Sequence, residues 1–224
     1  MVGGQDKMFQ SQKYVFLNAF ILALFIFGAG ILLGYWFEGL RGDEVNRLYL
    51  QSELNLLDMK VVSDAFNTQF SCDNAAEENI KFGDRIYQEA KILERYENAQ
   101  RISETLKYQH YKYDILRVMF FLNSKKIKEN CNDSFHIVTY FYKYNEPDKD
   151  TKNKQAVFSN MLMRLKENRG SDILLIPIAG DIDFSSINLL IKEYNITQLP
   201  TILIDDKIKI TEIKTAEEVG NILG

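Results

Sequence analysis

One uncharged run near the start of the chain limits what this sequence can fold into. From Val15 to Phe37 it reads VFLNAFILALFIFGAGILLGYWF, 23 residues with no charged side chain and one amide, Asn18. As a helix, this run is long enough to cross a hydrocarbon layer about 30 Å thick. Aromatic side chains lie at both of its ends, as is typical of membrane interfaces. The run predicts a transmembrane helix over residues 15–37, preceded by an N-terminal tail over residues 1–14.

The positive charges that flank this predicted span are balanced. Lys7 and Lys13 precede it, and Arg41 and Arg47 follow it, so they do not decide its orientation. The run is longer than the apolar part of a secretion signal and no A-x-A cleavage site follows it, which favours an uncleaved signal anchor. We expect a single pass through the cell membrane with the C-terminal part outside the cytoplasm. The lipid bilayer is the first expected partner.

The two cysteines, Cys72 and Cys131, support that orientation. The chain has no C-x-x-C and no cysteine-histidine metal spacing, so neither a metal site nor a cofactor is predicted. Outside the cytoplasm, an isolated pair of cysteines is most naturally a structural disulfide, and two unconnected buried thiols are the alternative. The formal net charge of −4 gives no basic stripe, so nucleic acid is not an expected partner.

Residues 38–130 have the composition of a helical stalk or hairpin region. Between Asp43 and Glu146 there is no proline and one glycine, Gly83. Three-to-four spacing of apolar residues predicts helices at about 43–70, 75–97 and 99–129. The break is expected at SCDN, residues 71–74, with Asp73 or Asn74 as the cap.

The apolar stripes of these helices permit two arrangements. They can form a parallel coiled coil between two copies of the chain, or a helical hairpin packed on the later domain, and the sequence leaves both open. The stripe of the first helix consists of Leu50, Leu54, Leu57, Val61 and Ala65.

The last ninety residues alternate between strand and helix patterns. Strands are predicted at 135–142, 172–179, 201–205 and 207–211, and helices at about 153–168, 186–194 and 216–223. Asp205 and Asp206 are the expected turn of a hairpin between the last two strands. This order predicts an α/β fold, one sheet with flanking helices.

A local pattern in this part resembles the thioredoxin superfamily. Residues 180–206 read GDIDFSSINLLIKEYNITQLPTILIDD, in which a loop, a helix and a Pro-Thr pair precede the hairpin. The resemblance implies a thioredoxin-like domain over residues 131–224 and a cis bond at Pro200, where backbone groups beside the proline can pair with an extended partner. The layout is also similar to membrane-anchored thioredoxin-like proteins of archaea, through its anchor, its helical region with a cysteine at each end, and its final domain.

The catalytic dithiol of that superfamily is missing here. It is expected after the first strand, where this chain reads YKYNEPDKDTKNKQAVF and places Lys149 and Lys152 near the two positions. Disulfide exchange needs a thiolate, which these residues do not supply. We therefore expect no catalytic residue, and a redox-inactive module that binds or scaffolds another protein through Pro200, Thr201, Lys149 and Lys152.

Two other functions stay open at this point. The first is a thiol-disulfide oxidoreductase that uses Cys131 or Cys72. The second is a structural membrane assembly in which Gly30 and Gly34, a G-x-x-x-G pair within the span, let two helices approach as a homodimer. Asp181 and Asp183 are expected to serve in capping and turns, and His110 and His136 in packing or at the surface.

Overall fold

The computed structural model describes residues 5–69, 71–99, 104–131, 135–146 and 148–224. Its helices are α1 (Gln5–Gln69), α2 (Cys72–Ala99), α3 (Glu104–Cys131), α4 (Lys149–Arg169), α5 (Ser185–Glu193) and α6 (Ala216–Leu223), and a short 3₁₀ turn spans Gly170–Asp172. Its strands are β1 (His136–Tyr142), β2 (Ile173–Ala179), β3 (Thr201–Ile204) and β4 (Ile208–Ile210). The chain divides into two compact units, Met1–Tyr49 and Leu50–Gly224.

The first unit contains the apolar run. Tyr14–Phe37 lies within α1, and this segment is long and apolar enough to cross a membrane. None of its apolar window is buried within the protein, unlike the core helix of a soluble domain. Gly30 and Gly34 have open space where a side chain would stand. The prediction of an N-terminal apolar helix of spanning length is confirmed.

The second unit is built on a mixed sheet with the strand order β2-β1-β3-β4. β1 and β2 are parallel, β3 is antiparallel to β1, and β4 is antiparallel to β3. The hairpin between β3 and β4 turns at Asp205 and Asp206, which both have positive φ angles, 48° and 60°, as tight hairpin turns require. The predicted α/β class and all four predicted strands are confirmed.

Helices cover both faces of this sheet and therefore bury β1 on both sides. Val138 and Tyr140 point to one face, where they pack with Phe158 of α4 and Val219 of α6. The alternate residues of β1 point to the other face. There α3 packs against β1 and β2 and also contacts α5. The result is a sheet between two helical layers.

The apolar stripe predicted on α1 faces away from the rest of the Leu50–Gly224 unit. Leu50, Leu54, Leu57 and Val61 are 53%, 61%, 59% and 65% exposed. The buried residues of this segment are Ser52, Asn55 and Met59. The Asn55 side chain donates to the Glu89 carboxylate at 2.9 Å, so a polar contact secures this part of α1. Of the two arrangements left open, the α1 stripe does not pack on the later domain, whereas α2 and α3 pack against each other and on the sheet.

Two helix starts also differ from the predictions. Ser71, not Asp73 or Asn74, caps α2, because its Oγ accepts from the Asn74 backbone N–H at 3.4 Å. The α4 helix begins at Lys149 instead of 153, because the Asp148 side chain caps it by accepting from the Thr151 backbone N–H at 2.8 Å. Residues 149–152, which precede the predicted start of this helix, are therefore helical.

Candidate functional site

The expected active-site position lies where β1 ends and α4 begins. Lys149 is the first residue of α4, and both Lys149 and Lys152 are exposed. A helix N-terminus stabilises negative charge, and here Asp148 and Asp150 occupy its first turn. No thiol lies at this helix start, because Cys72 and Cys131 are bonded to each other.

The predicted proline lies beside the same end of β1. The Leu199–Pro200 peptide bond is cis, as predicted, and Thr201 pairs with Phe141 near the end of β1. Pro200 and Thr201 are both buried, and the Thr201 hydroxyl donates to the Gln198 carbonyl at 2.6 Å. A partner can therefore reach the exposed residues Thr197 and Gln198, rather than the side chains of Pro200 and Thr201.

A short loop between β1 and α4 forms a fixed rim at this position. The Asp181 carboxylate accepts from the backbone N–H groups of Tyr144 at 2.7 Å and Asn145 at 3.3 Å. Lys143 forms an ion pair with Glu146 at 2.7 Å, which raises the pKa of Lys143. Asp183 instead accepts from the Asn188 side chain at 2.7 Å. Asp181 therefore holds the loop after β1, and Asp183 contacts a side chain of α5, whose N-cap is Phe184, so the predicted capping role is not observed for either aspartate.

The disulfide lies at the other end of β1. Cys72 and Cys131 are joined, with their Cα atoms 5.3 Å apart, as predicted. Cys131 ends α3 shortly before β1 begins at His136. A seven-residue strand is about 20 Å long, so the bonded sulfur atoms and the start of α4 are at opposite ends of the sheet.

A buried polar network lies behind the rim, and the sequence analysis did not identify it. Asp114 is fully buried on α3, and its Oδ1 lies 3.1 Å from the Arg117 guanidinium. Burial opposes the charge on Arg117, but Asp114 outweighs this effect and raises the pKa of Arg117. The available signal was the spacing of His110, Asp114 and Arg117, which places three ionisable groups on one face of a helix.

The histidine of this network packs against two tyrosines and lies beside Asp114. The Nε2 atom of His110 lies 2.8 Å from the Tyr142 hydroxyl and 3.2 Å from Asp114 Oδ2. The ring also stacks on Tyr144 with centroids 3.8 Å apart. His110 therefore has the packing role that was expected.

An open cleft of about 470 Å³ extends along this network. It lies beside β2, with α4 on one side and α2 and α3 on the other, and Lys152 is part of its wall. Pro200 and Thr201 are not among the residues that line it. Of the four predicted binding residues, the structure thus places Lys152 in a cavity wall, Thr201 in β3 and Pro200 directly before β3. Lys149 stays at the surface.

In the described parts of the chain, no group of three or more His, Cys, Asp or Glu side chains is placed to hold a metal ion. Comparison with known protein families finds no family model that matches the chain, and no curated protein matches it either.

Proposed function

We propose that this chain is a single-pass membrane protein that holds a redox-inactive thioredoxin-like domain outside the cytoplasm, where the domain binds another protein. The observation that carries the proposal is the location of the two cysteine sulfur atoms. Both cysteines are bonded at the His136 end of β1, and the helix start at the other end presents Lys149 and Lys152. Since exchange requires an attacking thiolate, this site has no nucleophile for it.

Three features support a thioredoxin-like assignment. The sheet order is β2-β1-β3-β4, and β3 alone runs against the other strands. Helices lie on both faces of the sheet. A cis proline, Pro200, stands directly before β3. Together with the pattern in residues 180–206, these features support the proposal of a thioredoxin-like domain.

The binding surface we propose is the backbone before Pro200 together with the rim beside it. Residues 197 and 198 are exposed and precede a central strand, and backbone N–H and C=O groups of such a segment can pair with an extended peptide. Lys149 is exposed at the neighbouring helix start and favours an acidic segment in the partner. Pro200 and Thr201 would hold this segment in place from within the fold.

The disulfide also supports the proposed orientation. Structural disulfides persist in oxidising compartments and are rare in the cytosol. An N-terminal signal anchor with the Leu50–Gly224 unit outside the cytoplasm places both cysteines in such a compartment.

Counting thiols tests the proposal against the oxidoreductase alternative. The full-length protein is alkylated in native membranes, with and without prior reduction, and the labelled cysteines are counted by mass spectrometry. We expect no label before reduction and two after it. A single reactive thiol in the native protein, together with peptide reduction that Cys131→Ser abolishes, would establish the enzyme instead.

Site-specific crosslinking tests the binding surface. A photoreactive residue is introduced at Gln198 in the full-length protein in its native membrane. The matched control carries it at Lys207, which is exposed beyond the other end of β3. We expect one defined protein to be crosslinked from Gln198 and not from Lys207, and the yield to fall for Lys149→Glu. Equal crosslinking from both positions would contradict a surface centred on Pro200.

The exposed stripe on α1 favours self-association as a second candidate function. Leu50, Leu54, Leu57 and Val61 follow the alternating four- and three-residue spacing of a coiled-coil seam, and copies anchored by the same span lie parallel. Gly30 and Gly34 are open to a second helix as well. We expect Leu54→Lys with Leu57→Lys to convert dimers to monomers in detergent. Unchanged oligomer size in this variant and after deletion of the span would exclude this function.

A further inference from the structure

The geometry points to a small-molecule site: we infer that the cleft beside β2 binds an anionic organic molecule with a flat, apolar body. The cleft shares Lys143 and Tyr144 of the rim with the proposed protein-binding surface, but the segment before Pro200 does not line it. The charges, side-chain types and size of the cleft carry the inference.

The charge of the cleft wall has one sign. Four basic side chains line it: Lys91 of α2, Arg117 of α3, Lys143 of the loop after β1, and Lys152 of α4. Among the described lining residues none is an aspartate or glutamate. Arg117 is neutralised by Asp114, and Lys143 by Glu146. In the described part of the chain, neither Lys91 nor Lys152 forms an ion pair with an acidic side chain. Two positive charges, contributed by helices on different sides of the cleft, remain available to an anion.

The body of the cleft is suited to an aromatic or other flat apolar group. Four tyrosines line it, Tyr87, Tyr140, Tyr142 and Tyr144, together with apolar residues of α4 and β2. Burial raises the pKa of Tyr140, so its hydroxyl stays neutral and adds no negative charge. A volume of about 470 Å³ falls in the range of small-molecule sites, roughly 300–1,000 Å³.

Two polar atoms beside the cleft lack hydrogen-bond partners within the described residues. They are the Arg117 Nε and the Tyr87 hydroxyl oxygen, both shielded from solvent. The Arg117 side chain is 8% exposed. Buried donors are nearly always satisfied in native proteins. Because both atoms are shielded, they mark unsatisfied polarity behind the cleft wall and not a surface that a bound molecule contacts.

Calorimetric titration with a matched pair of probes tests this inference. The full-length protein in lipid nanodiscs is titrated with naphthalene-1-sulfonate, which is anionic, and with naphthalene-1-sulfonamide, which is neutral at pH 7. Empty nanodiscs correct for partition into lipid. We expect saturable binding of the sulfonate at one site, at least about tenfold tighter than binding of the sulfonamide, a difference of about 1.4 kcal/mol.

Charge variants then locate the site. Lys91→Glu with Lys152→Glu should weaken sulfonate binding by at least about tenfold. The matched control, Lys192→Glu with Lys207→Glu, makes the same change in net charge at exposed positions outside the cleft and should retain the wild-type affinity. Far-UV circular dichroism verifies that both variants are folded, and the comparison of the two probes needs no variant.

Three results would overturn the inference. They are no saturable heat beyond that of empty nanodiscs, equal affinity for the two probes, or equal loss of binding in the two charge variants. None of these changes crosslinking from Gln198, so failure of the ligand site is distinguishable from failure of the proposed protein-binding surface.

Discussion

The two ends of β1 differ in how their charged groups are satisfied. At the His136 end, the Asp205 carboxylate accepts hydrogen bonds from the Lys128 ammonium at 2.7 Å and the Ile137 backbone N–H at 2.8 Å. Its other oxygen lies 2.6 Å from the His136 Nδ1 atom. At the Tyr142 end, the fully buried Asp114 has Arg117 as its cationic partner, and the Arg117 Nε has no hydrogen-bond partner among the described residues.

This difference separates a structural end of the sheet from a binding end. Near Asp205, Lys125 pairs with Asp206 at 2.6 Å and the disulfide joins α2 to α3, so polar groups there are used in fixing the fold. Near Tyr142, basic groups border an open cleft. Ion pairs at the first end stabilise one arrangement, although Asp206 Oδ1 there has no hydrogen-bond partner among the described residues, and the basic groups at the second end can bind a ligand.

The largest expected effect comes from breaking the structural end at its disulfide. Cys72→Ser with Cys131→Ser removes a link across a sequence separation of 59 residues. In the chain-entropy model this lowers the free energy of unfolding by about 4 kcal/mol. Urea unfolding of the full-length protein in nanodiscs, followed by circular dichroism, measures it.

The same variant also tests whether the two ends are independent. Below its unfolding transition, the double variant should bind naphthalene-1-sulfonate with the wild-type affinity, because the cleft is bordered by the other end of β1. A parallel loss of affinity and stability would show that one cooperative packing unit determines both, and the comparison would fail.

At the binding end, a single substitution should lower stability by less than loss of the disulfide does, and should raise affinity for the anionic probe. Asp114→Asn leaves the Arg117 guanidinium without its partner in a buried position, which costs about 3 kcal/mol of unfolding free energy. The uncompensated Arg117 should at the same time bind naphthalene-1-sulfonate more tightly. The control is Asp183→Asn at an exposed carboxylate, where we expect a change within about 0.5 kcal/mol. Unchanged probe affinity in a folded Asp114→Asn protein would show that the charge of Arg117 does not contribute to binding in the cleft.

The ion pairs of the structural end predict a specific pH dependence. Burial opposes ionisation of Asp205, but the hydrogen bonds from Lys128, His136 and Ile137 outweigh it and lower the pKa of Asp205. The stabilisation is therefore complete above the ordinary carboxyl pKa, about 3.9, and is lost as the pH falls through the lower folded-state value.

Asp205→Asn tests this dependence, since asparagine also tolerates the positive φ of 48° at this position. We expect the variant to be about 2 kcal/mol less stable at pH 7. The difference from wild type should be constant above about pH 5 and should shrink below about pH 4. Thermal unfolding across this range measures it, and a difference that persists unchanged to pH 2 would contradict the assignment.

The sequence predicted the regular elements well, because their signals are local. Apolar periodicity and turn residues identified the four strands and the hairpin turn at Asp205 and Asp206, and the resemblance in residues 180–206 implied the cis bond at Pro200. The start of α4 was missed because Asp148, a strong N-cap, lies in a charged stretch that reads as a loop. The buried face of α1 was missed because its contact is made by Asn55 and Glu89, whose polarity points to solvent.

The candidate site was less predictable, since it depends on contacts between distant elements. The cleft wall joins Lys91 of α2 to Lys152 of α4, and no local pattern relates these two residues. The pairing of Asp114 with Arg117 was visible as a spacing on one helix, but its burial depends on the sheet that α3 covers.

The smallest expected effect concerns α2, which runs from the structural end toward the cleft. Gly83 packs so closely that a Cβ atom would lie 2.7 Å from Phe120 Cζ, whereas Tyr87, one turn later, lines the open cleft. Gly83→Ala gains about 1 kcal/mol in helix propensity and loses about 1–3 kcal/mol through overpacking, because Phe120 is 2% exposed and has little room to move. We expect a net loss of about 1 kcal/mol in urea unfolding.

Gly220→Ala in α6 is the matched control, because the nearest atom to its added Cβ would be 3.7 Å away. Only the propensity gain applies there, so this variant should be more stable than wild type by up to about 1 kcal/mol. The opposite signs distinguish close packing of α2 from a general effect of replacing helical glycines. If Gly83→Ala also stabilised the protein, α2 would not be closely packed at Gly83. The contrast between the structural end and the binding end would then not extend to this helix.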